Sequence, residues 1–386
     1  MDLRTKSIFF SLLRSAILDQ PLTEEERKDY SRETLEPILE LARKHDISHI
    51  LVYALKENGL LTEEDRELEK EIFKAVYRCE KLKFALNTVA DIFEKSEIPF
   101  LPLKGSVLRD YYKNPWMRTS CDIDVLVKEE NLDIAVEALC NEGFTRSVKS
   151  SHDVSMYTPS KVHLELHFHL MEEGLANNAS IVLSDVWGNL TKKEDKSYFY
   201  EMPSELFYFY HVAHMAKHFE NGGCGIRPII DLYILDKMEG LDREKLDDLL
   251  EKGELLKFRD AALSLSHVWF FEDNRDGLTG ALEEYVLFGG VYGNFENRIT
   301  VKQIKKGGRF KYVLYRIFLP YNILKSYYPI LRKYPILTPI MHARRWYKAL
   351  VNKRLKSVVS EFSRSNKINA SKDEKTATLL ENLGLK

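Results

Sequence analysis

The sequence predicts an α+β protein in which a small β-sheet is embedded in a mainly helical body. Two segments predict the sheet. Val162 to Leu170 alternates apolar and polar residues almost without fault, and Cys121 to Val127 is an apolar run that opens on two aspartates. On either side of these strands, apolar residues recur three and four positions apart, which predicts helices. A length of 386 residues leaves room for two or three domains, and 44% hydrophobic and 11% aromatic residues are ample for their cores.

Residues 1–95 read as a helical region. Its first apolar stretch is interrupted by Arg14, which marks an amphipathic helix, because a signal peptide would need an unbroken apolar core. Thr23-Glu24-Glu25-Glu26 and Thr62-Glu63-Glu64-Asp65 resemble helix starts whose acidic first turns suit the dipole. Leu35, Ile38, Leu39 and Ala42, then Ile47, Ile50, Leu51 and Ala54, form apolar faces, and a long periodic segment runs from Leu68 to Phe93. This region is expected to cap a core spanning 96–175.

That core begins with Ile98 to Leu103, a short apolar strand that runs into Lys104-Gly105-Ser106 and a helix-like stretch from Val107 to Tyr112. Gly105 permits a tight turn, and the new helix offers free N–H groups to an anion. With the Ser106 hydroxyl and the Lys104 ammonium, the turn reads either as a phosphate cradle or as a plain helix cap. Asp122 and Asp124 follow, one residue apart on a strand and so on one face. Their mutual repulsion is relieved by a cation between them, which makes Mg²⁺ a natural candidate, and a strand that merely starts in a polar turn is the alternative. Tyr111, Tyr112 and Trp116, between the turn and the aspartates, suit base stacking or core packing.

Downstream, Val162, Leu164, Leu166 and Phe168 should face a core, with His163, Glu165, His167 and His169 on the opposite side. Asp153 to Thr158, with Pro159-Ser160 as the turn, supplies a hairpin partner. Glu165 then becomes a third carboxylate on the sheet.

A helical region is expected over 176–300. Pro203-Ser204-Glu205 opens a helix that carries His211, His214 and His218 on one face, for metal binding, packing or substrate contact. Arg227 and Asp231, four apart, suggest an ion pair or a place in a substrate pocket. The segment 301–363 is basic and rich in aromatics. Val301 to Ser360 holds fifteen Lys and Arg and no Asp or Glu, so a chain of net charge −2 carries −17 on its remainder. Pro320, Pro329, Pro335 and Pro339 should cut the segment into short helices. A nucleic-acid surface, an anionic membrane surface and packing on the acidic remainder compete as its role. A polar tail over 364–386, loose from Asn366 to Lys375, ends in a weak helix.

The order strand, Gly-Ser, helix, Asp-x-Asp strand, helix and a later acidic strand resembles the polymerase-β-like nucleotidyltransferases. Leu103-Lys104-Gly105-Ser106, Arg118, Asp122-Ile123-Asp124, Gly143-Phe144 and Leu164-Glu165-Leu166-His167 are more closely similar to the bacterial group called uncharacterised nucleotidyltransferase. The likeness continues through His214, His218 and Gly225 to Leu232. It implies the small mixed sheet of that superfamily and Mg²⁺- or Mn²⁺-dependent transfer of a nucleoside monophosphate, AMP from ATP first of all, to a hydroxyl. Asp122, Asp124 and Glu165 would hold metal, with Glu165 alternatively taking the acceptor's proton. Lys104, Gly105, Ser106 and Arg118 would hold the nucleotide, although Arg118 has a salt bridge to one of the same aspartates as its alternative. His167, His214, His218 and Arg227 would contact substrate. The acceptor could be a small molecule, a sugar, a protein or an RNA end. The rival reading is a non-catalytic nucleotide-binding protein docked on a membrane or partner through its basic segment.

Cys79, Cys121, Cys140 and Cys224 are scattered without a Cys-x-x-Cys, which argues against a zinc knuckle or disulfide framework and fits a reducing cytoplasm. No stretch reaches the ~20 apolar residues of a membrane span, so the expected location is cytoplasmic or peripheral at a membrane.

Overall fold

Helices come first because the N-terminal quarter supplies its own caps and no strand alternation. α1 (Leu3–Leu18) starts on Asp2, whose carboxylate accepts the Thr5 amide. Thr23 closes a capping box with Glu26 at the head of α2 (Glu24–Asp29), and Thr62 does so with Asp65 ahead of a 3₁₀ turn. α3 (Arg32–Lys44) and α4 (Ser48–Glu57) follow, and α5 (Glu69–Lys95) delivers the chain to the sheet. The computed structural model describes residues 2–171, 176–271, 275–291, 293–351 and 370–385.

The sheet contains β1 (Phe100–Leu103), β2 (Asp122–Val127), β3 (Thr145–Lys149), β4 (Asp153–Tyr157) and β5 (His163–His167) in the order β1-β2-β5-β4-β3. The β2–β5 pair is parallel and the others are antiparallel, so the sheet is mixed. α6 (Gly105–Leu108) follows β1, and α7 (Leu132–Asn141) follows β2. The β4–β5 hairpin has the partner expected from the sequence.

Alternation sorts the two faces. Ile123, Val125, Val154, Met156, Leu164 and Leu166 pack with α5 and α7 in one core. Burying each of these side chains stabilises the fold by roughly 1.5–3 kcal/mol. On the opposite face, Leu101, Leu103 and Leu126 join a larger core. The other positions of β2 and β5 on that face are Asp122, Asp124, His163, Glu165 and His167.

After α8 (Ala179–Val182) and the two-stranded pair β6 (Thr191–Lys192) and β7 (Tyr200–Glu201), helices return. They are α9 (Ser204–Glu220), α10 (Ile226–Asp236), α11 (Arg243–Lys252), α12 (Leu256–Phe271), α13 (Gly277–Gly289) and α14 (Phe295–Lys305). Leu12 and Leu51 share the larger core with Phe209, Leu232 and Phe258, so the helices before and after the sheet bury one another.

The basic segment forms α15 (Arg309–Ile317), α16 (Tyr321–Tyr327) and α17 (Thr338–Val351) around a small cluster of Leu324, Leu331 and Met341. Pro320, Pro329 and Pro335 stand at element starts, where a missing N–H costs nothing. Basic positions past Val351 lie outside the described residues. In the polar tail, 366–369 also lie outside them, and a helix is formed from Ala370 to Asn382. Among the described residues no helix is long and apolar enough to cross a membrane.

Candidate active site

The parallel pairing of β2 with β5 sets Asp122 opposite His163 and Asp124 opposite Glu165. Strands that pleat in step present these side chains on one face. Ligand atoms of Asp122, His163 and Glu165 lie within 4.8 Å of one another, as do those of Asp124, Glu165 and His167. Glu165 belongs to both groups. A third such group joins His167 to His152 and Asp153, and Asp153 faces His167 across the β4–β5 hairpin.

Lys104 enters from the turn after β1. Its backbone, at φ 46° and ψ −122°, lies in a region that costs a non-glycine residue about 1–3 kcal/mol. That turn aims the Lys104 ammonium at Asp124 Oδ1, 2.8 Å away. His167 Nε2 donates to the same oxygen at 2.9 Å and lies 3.4 Å from Glu165 Oε2. The other nitrogen of that ring, Nδ1, is buried without a partner.

These contacts divide the two aspartates. Burial pushes the Asp122 carboxyl up, and the negative Asp124 and Glu165 push it further. Burial acts the same way on Asp124, but the charge of Lys104 and the hydrogen bond from His167 overcome it and hold that carboxyl well below the usual range. His167 is raised: burial and the Lys104 charge oppose its cation, and the hydrogen bonds to Asp124 and Glu165 prevail. Asp124 thus has its counter-charge already, whereas Asp122 is opposed by burial and by like-charged neighbours.

Close packing fixes the turn. A Cβ on Gly105 would come within 3.1 Å of Ser120 Cβ, so the approach of the turn to the start of β2 depends on glycine. Arg109, which nothing in the local sequence marks, donates from Nε to the Gly105 carbonyl at 2.9 Å and from Nη2 to Ser120 Oγ at 3.3 Å. Lys104 and Gly105 line the cleft over the carboxylates. The Ser106 hydroxyl is buried without a partner and does not line the cleft.

Two expected pairings give way to others. Arg118 reaches neither Asp122 nor Asp124; its Nε donates to the two oxygens of Asp231 at 2.7 and 2.9 Å. Tyr112 donates its hydroxyl to Asp231 at 2.6 Å. Asp231 therefore forms no pair with Arg227, although both lie on α10. It is fully buried and turned toward Tyr112 and Arg118 in the segment between β1 and β2, whereas Arg227 Nη1, a turn earlier, donates to Asp46 at 3.0 Å and to the Thr119 carbonyl at 2.8 Å. Trp116 packs edge-on against Tyr53 and Tyr112 is buried in the core, whereas Tyr111 stays 40% exposed.

The cleft has a volume of about 350 Å³ and is roofed by Tyr210, His214 and His218 of α9 and Arg227 of α10. The His214 and His218 rings meet edge to face at 4.5 Å. Burial, then the charges of Lys104 and Lys217, hold His218 down to about 4, and burial with His218 beside it holds His214 well below its ordinary value. His211 donates Nε2–H to the Pro228 carbonyl and serves the helix packing. Among the described residues, no metal-type group includes these three histidines. Tyr210, His152 and Asp153 of the cleft escaped the sequence reading, although the alternation of β4 could have disclosed Asp153. A larger groove of 830 Å³ lies between α5 and α7 and holds none of the three carboxylates.

The donor set fits a hard divalent cation. Asp122 and Glu165 offer oxygens in a partly desolvated setting, and His163, in the same group, brings a nitrogen that Mn²⁺ tolerates better than Mg²⁺. The model of a family described as uncharacterised nucleotidyltransferase matches residues 31–271, from α3 through α12. No curated protein matches the chain.

Proposed function

Because the chain belongs to the uncharacterised nucleotidyltransferase family, we propose that it moves a nucleoside monophosphate, AMP from ATP in the first instance, onto a hydroxyl acceptor with release of pyrophosphate. The observation that carries this reading is the convergence of Asp122, Asp124 and Glu165 on one sheet face beneath the cleft. A bound Mg²⁺ or Mn²⁺ would stabilise negative charge on the transferring and leaving phosphate oxygens. Asp122 and Asp124 would hold it, with Glu165 beside them to take the acceptor's proton.

The chain's own groups account for the other requirements. Lys104 and Gly105 face the triphosphate at the end of β1, and the partnerless Ser106 hydroxyl is the remaining donor of that turn. The Lys104 ammonium keeps Asp124 ionised and adds a fixed positive charge near the leaving group. Arg118 holds the cleft edge through Asp231. The acceptor oxygen attacks the α-phosphorus, its O–H proton passes to Glu165, and the bond to the bridging oxygen of pyrophosphate breaks. His214 and His218, uncharged in their buried setting, contact the acceptor or the base by neutral hydrogen bonds, and Arg227 contributes a cation at the far wall.

Pyrophosphate release from each α-labelled NTP with Mg²⁺ or Mn²⁺, with a cell lysate as acceptor pool, tests this reading. The wild type should release pyrophosphate and label a product, and Asp122→Ala and Asp124→Ala should do neither. Metal-dependent nucleotide binding with no turnover in any arm would refute the transfer reaction.

A further inference from the structure

We infer that the basic C-terminal segment docks the protein on an anionic phospholipid surface. The segment lies beyond the span matched by the family model, so this inference does not depend on the transfer reaction. Packing on the acidic remainder would bury its apolar side chains, and the structure does the opposite. Of the 22 large hydrophobic side chains exposed among the described residues, 11 fall within 309–351. Among the described residues the local core is small: Leu324, Leu331 and Met341, with Leu319, Tyr321, Tyr328 and Leu337 packed against it.

Exposed apolar and basic groups share helix faces. On α15, Phe310 and Leu314 stand four apart and Phe318 continues the line just past the helix, with exposures of 76%, 41% and 62%. On α17, Ile340, Tyr347 and Val351 lie seven and eleven positions apart, with Arg344 and Lys348 on the same side. The two helices ride on one body, because Arg345 Nη2 donates to the Arg316 carbonyl at 2.6 Å and Trp346 Nε1 to the Ile317 carbonyl at 3.3 Å. Between them Ile336 is 86% exposed in a turn that also carries exposed Arg332 and Lys333. Apolar side chains flanked by cations, with no carboxylate anywhere from Val301 to Ser360, match a surface of phosphate headgroups over acyl chains. A nucleic-acid groove would satisfy the charges and leave the aliphatic side chains in water.

The test is co-sedimentation of the full-length protein with phosphatidylcholine vesicles, with and without phosphatidylglycerol. Binding should require the anionic lipid. Each lost cation weakens attachment about fivefold, so Arg332→Glu/Lys333→Glu/Arg344→Glu/Lys348→Glu should weaken it on the order of several hundredfold or more. Phe310→Ser/Ile336→Ser should weaken it without altering net charge. Melting curves that match the wild type's qualify both variants. Should either melt lower, the wild type at about 1 M salt, where the screening length is about 3 Å, supplies the same test by detaching. Equal binding to neutral vesicles, undiminished binding by the charge variant, or tight binding to single-stranded RNA with none to vesicles would overturn the inference.

Discussion

Lys104→Met isolates the charge balance of the site. The substitution keeps most of the side-chain stem and removes the ammonium that stands 2.8 Å from Asp124 Oδ1. Asp124 is 7% exposed and Lys104 21%, so the pair is largely shielded from water. Removing one partner of such a pair costs about 3–5 kcal/mol. His167 remains on the same oxygen at 2.9 Å, which places the cost at the lower end, about 3 kcal/mol. The melting temperature without divalent cations should therefore fall by about 4 °C. Mg²⁺ or Mn²⁺ should restore more stability to the variant than it adds to the wild type, since a bound cation then supplies the missing charge. Thermal melts at neutral pH with and without the metal make the comparison. An unchanged melting temperature, or a metal response no larger than the wild type's, would refute the argument that Lys104 neutralises Asp124.

Three other outcomes follow from the same contacts. Arg118→Ala leaves the fully buried Asp231 with only the Tyr112 hydroxyl and should destabilise the fold by about 3–5 kcal/mol in urea titrations, with Asp231→Asn in the same background recovering part of the loss. Asp122→Asn should abolish turnover yet raise the metal-free melting temperature, because burial and like-charged neighbours oppose ionisation of Asp122 in the native state. His45 and His49 are both held down to about 4 by burial, and His45 Nδ1 also accepts the Ile226 amide, a bond that protonation destroys. Their folded values lie below the unfolded one near 6.5, so the stability they contribute is present above that pH and is lost as pH falls toward 4, by up to about 3 kcal/mol each. Melts between pH 7 and pH 4.5 should show the decline, and His49→Gln should flatten it.

Much of the sheet was legible because period two is a local signal. Once β2 and β5 are assigned, alternation alone puts Asp122, Asp124, Glu165 and His167 on one side and Ile123, Val125, Leu164 and Leu166 on the other. Which strand lies beside which is another matter, yet the juxtaposition of Asp124 and Glu165 depends on it. The ion pairs were the least legible part. Arg227 and Asp231 sit at helical spacing, but each finds a partner from another element, because a fully buried carboxylate takes the guanidinium that tertiary packing delivers. The partner of Arg118 lies 113 residues away, and no local pattern carries that information. The same holds for Arg109, whose task is to tie a turn to a strand end.

The parallel β2–β5 pair also has a consequence for the order in which the site comes into being. Parallel neighbours cannot be joined by a tight hairpin, and here α7, β3 and β4 are laid down between them. During synthesis, Asp122 and Asp124 leave the ribosome well before Glu165, and before the α9 residues that roof the cleft. The nascent chain therefore carries two of the candidate cation ligands before the third is made. The full set is assembled only where β5 pairs with β2. A chain cut short before His163 would hold the most recognisable motif of the protein and lack the strand that brings Glu165 beside it.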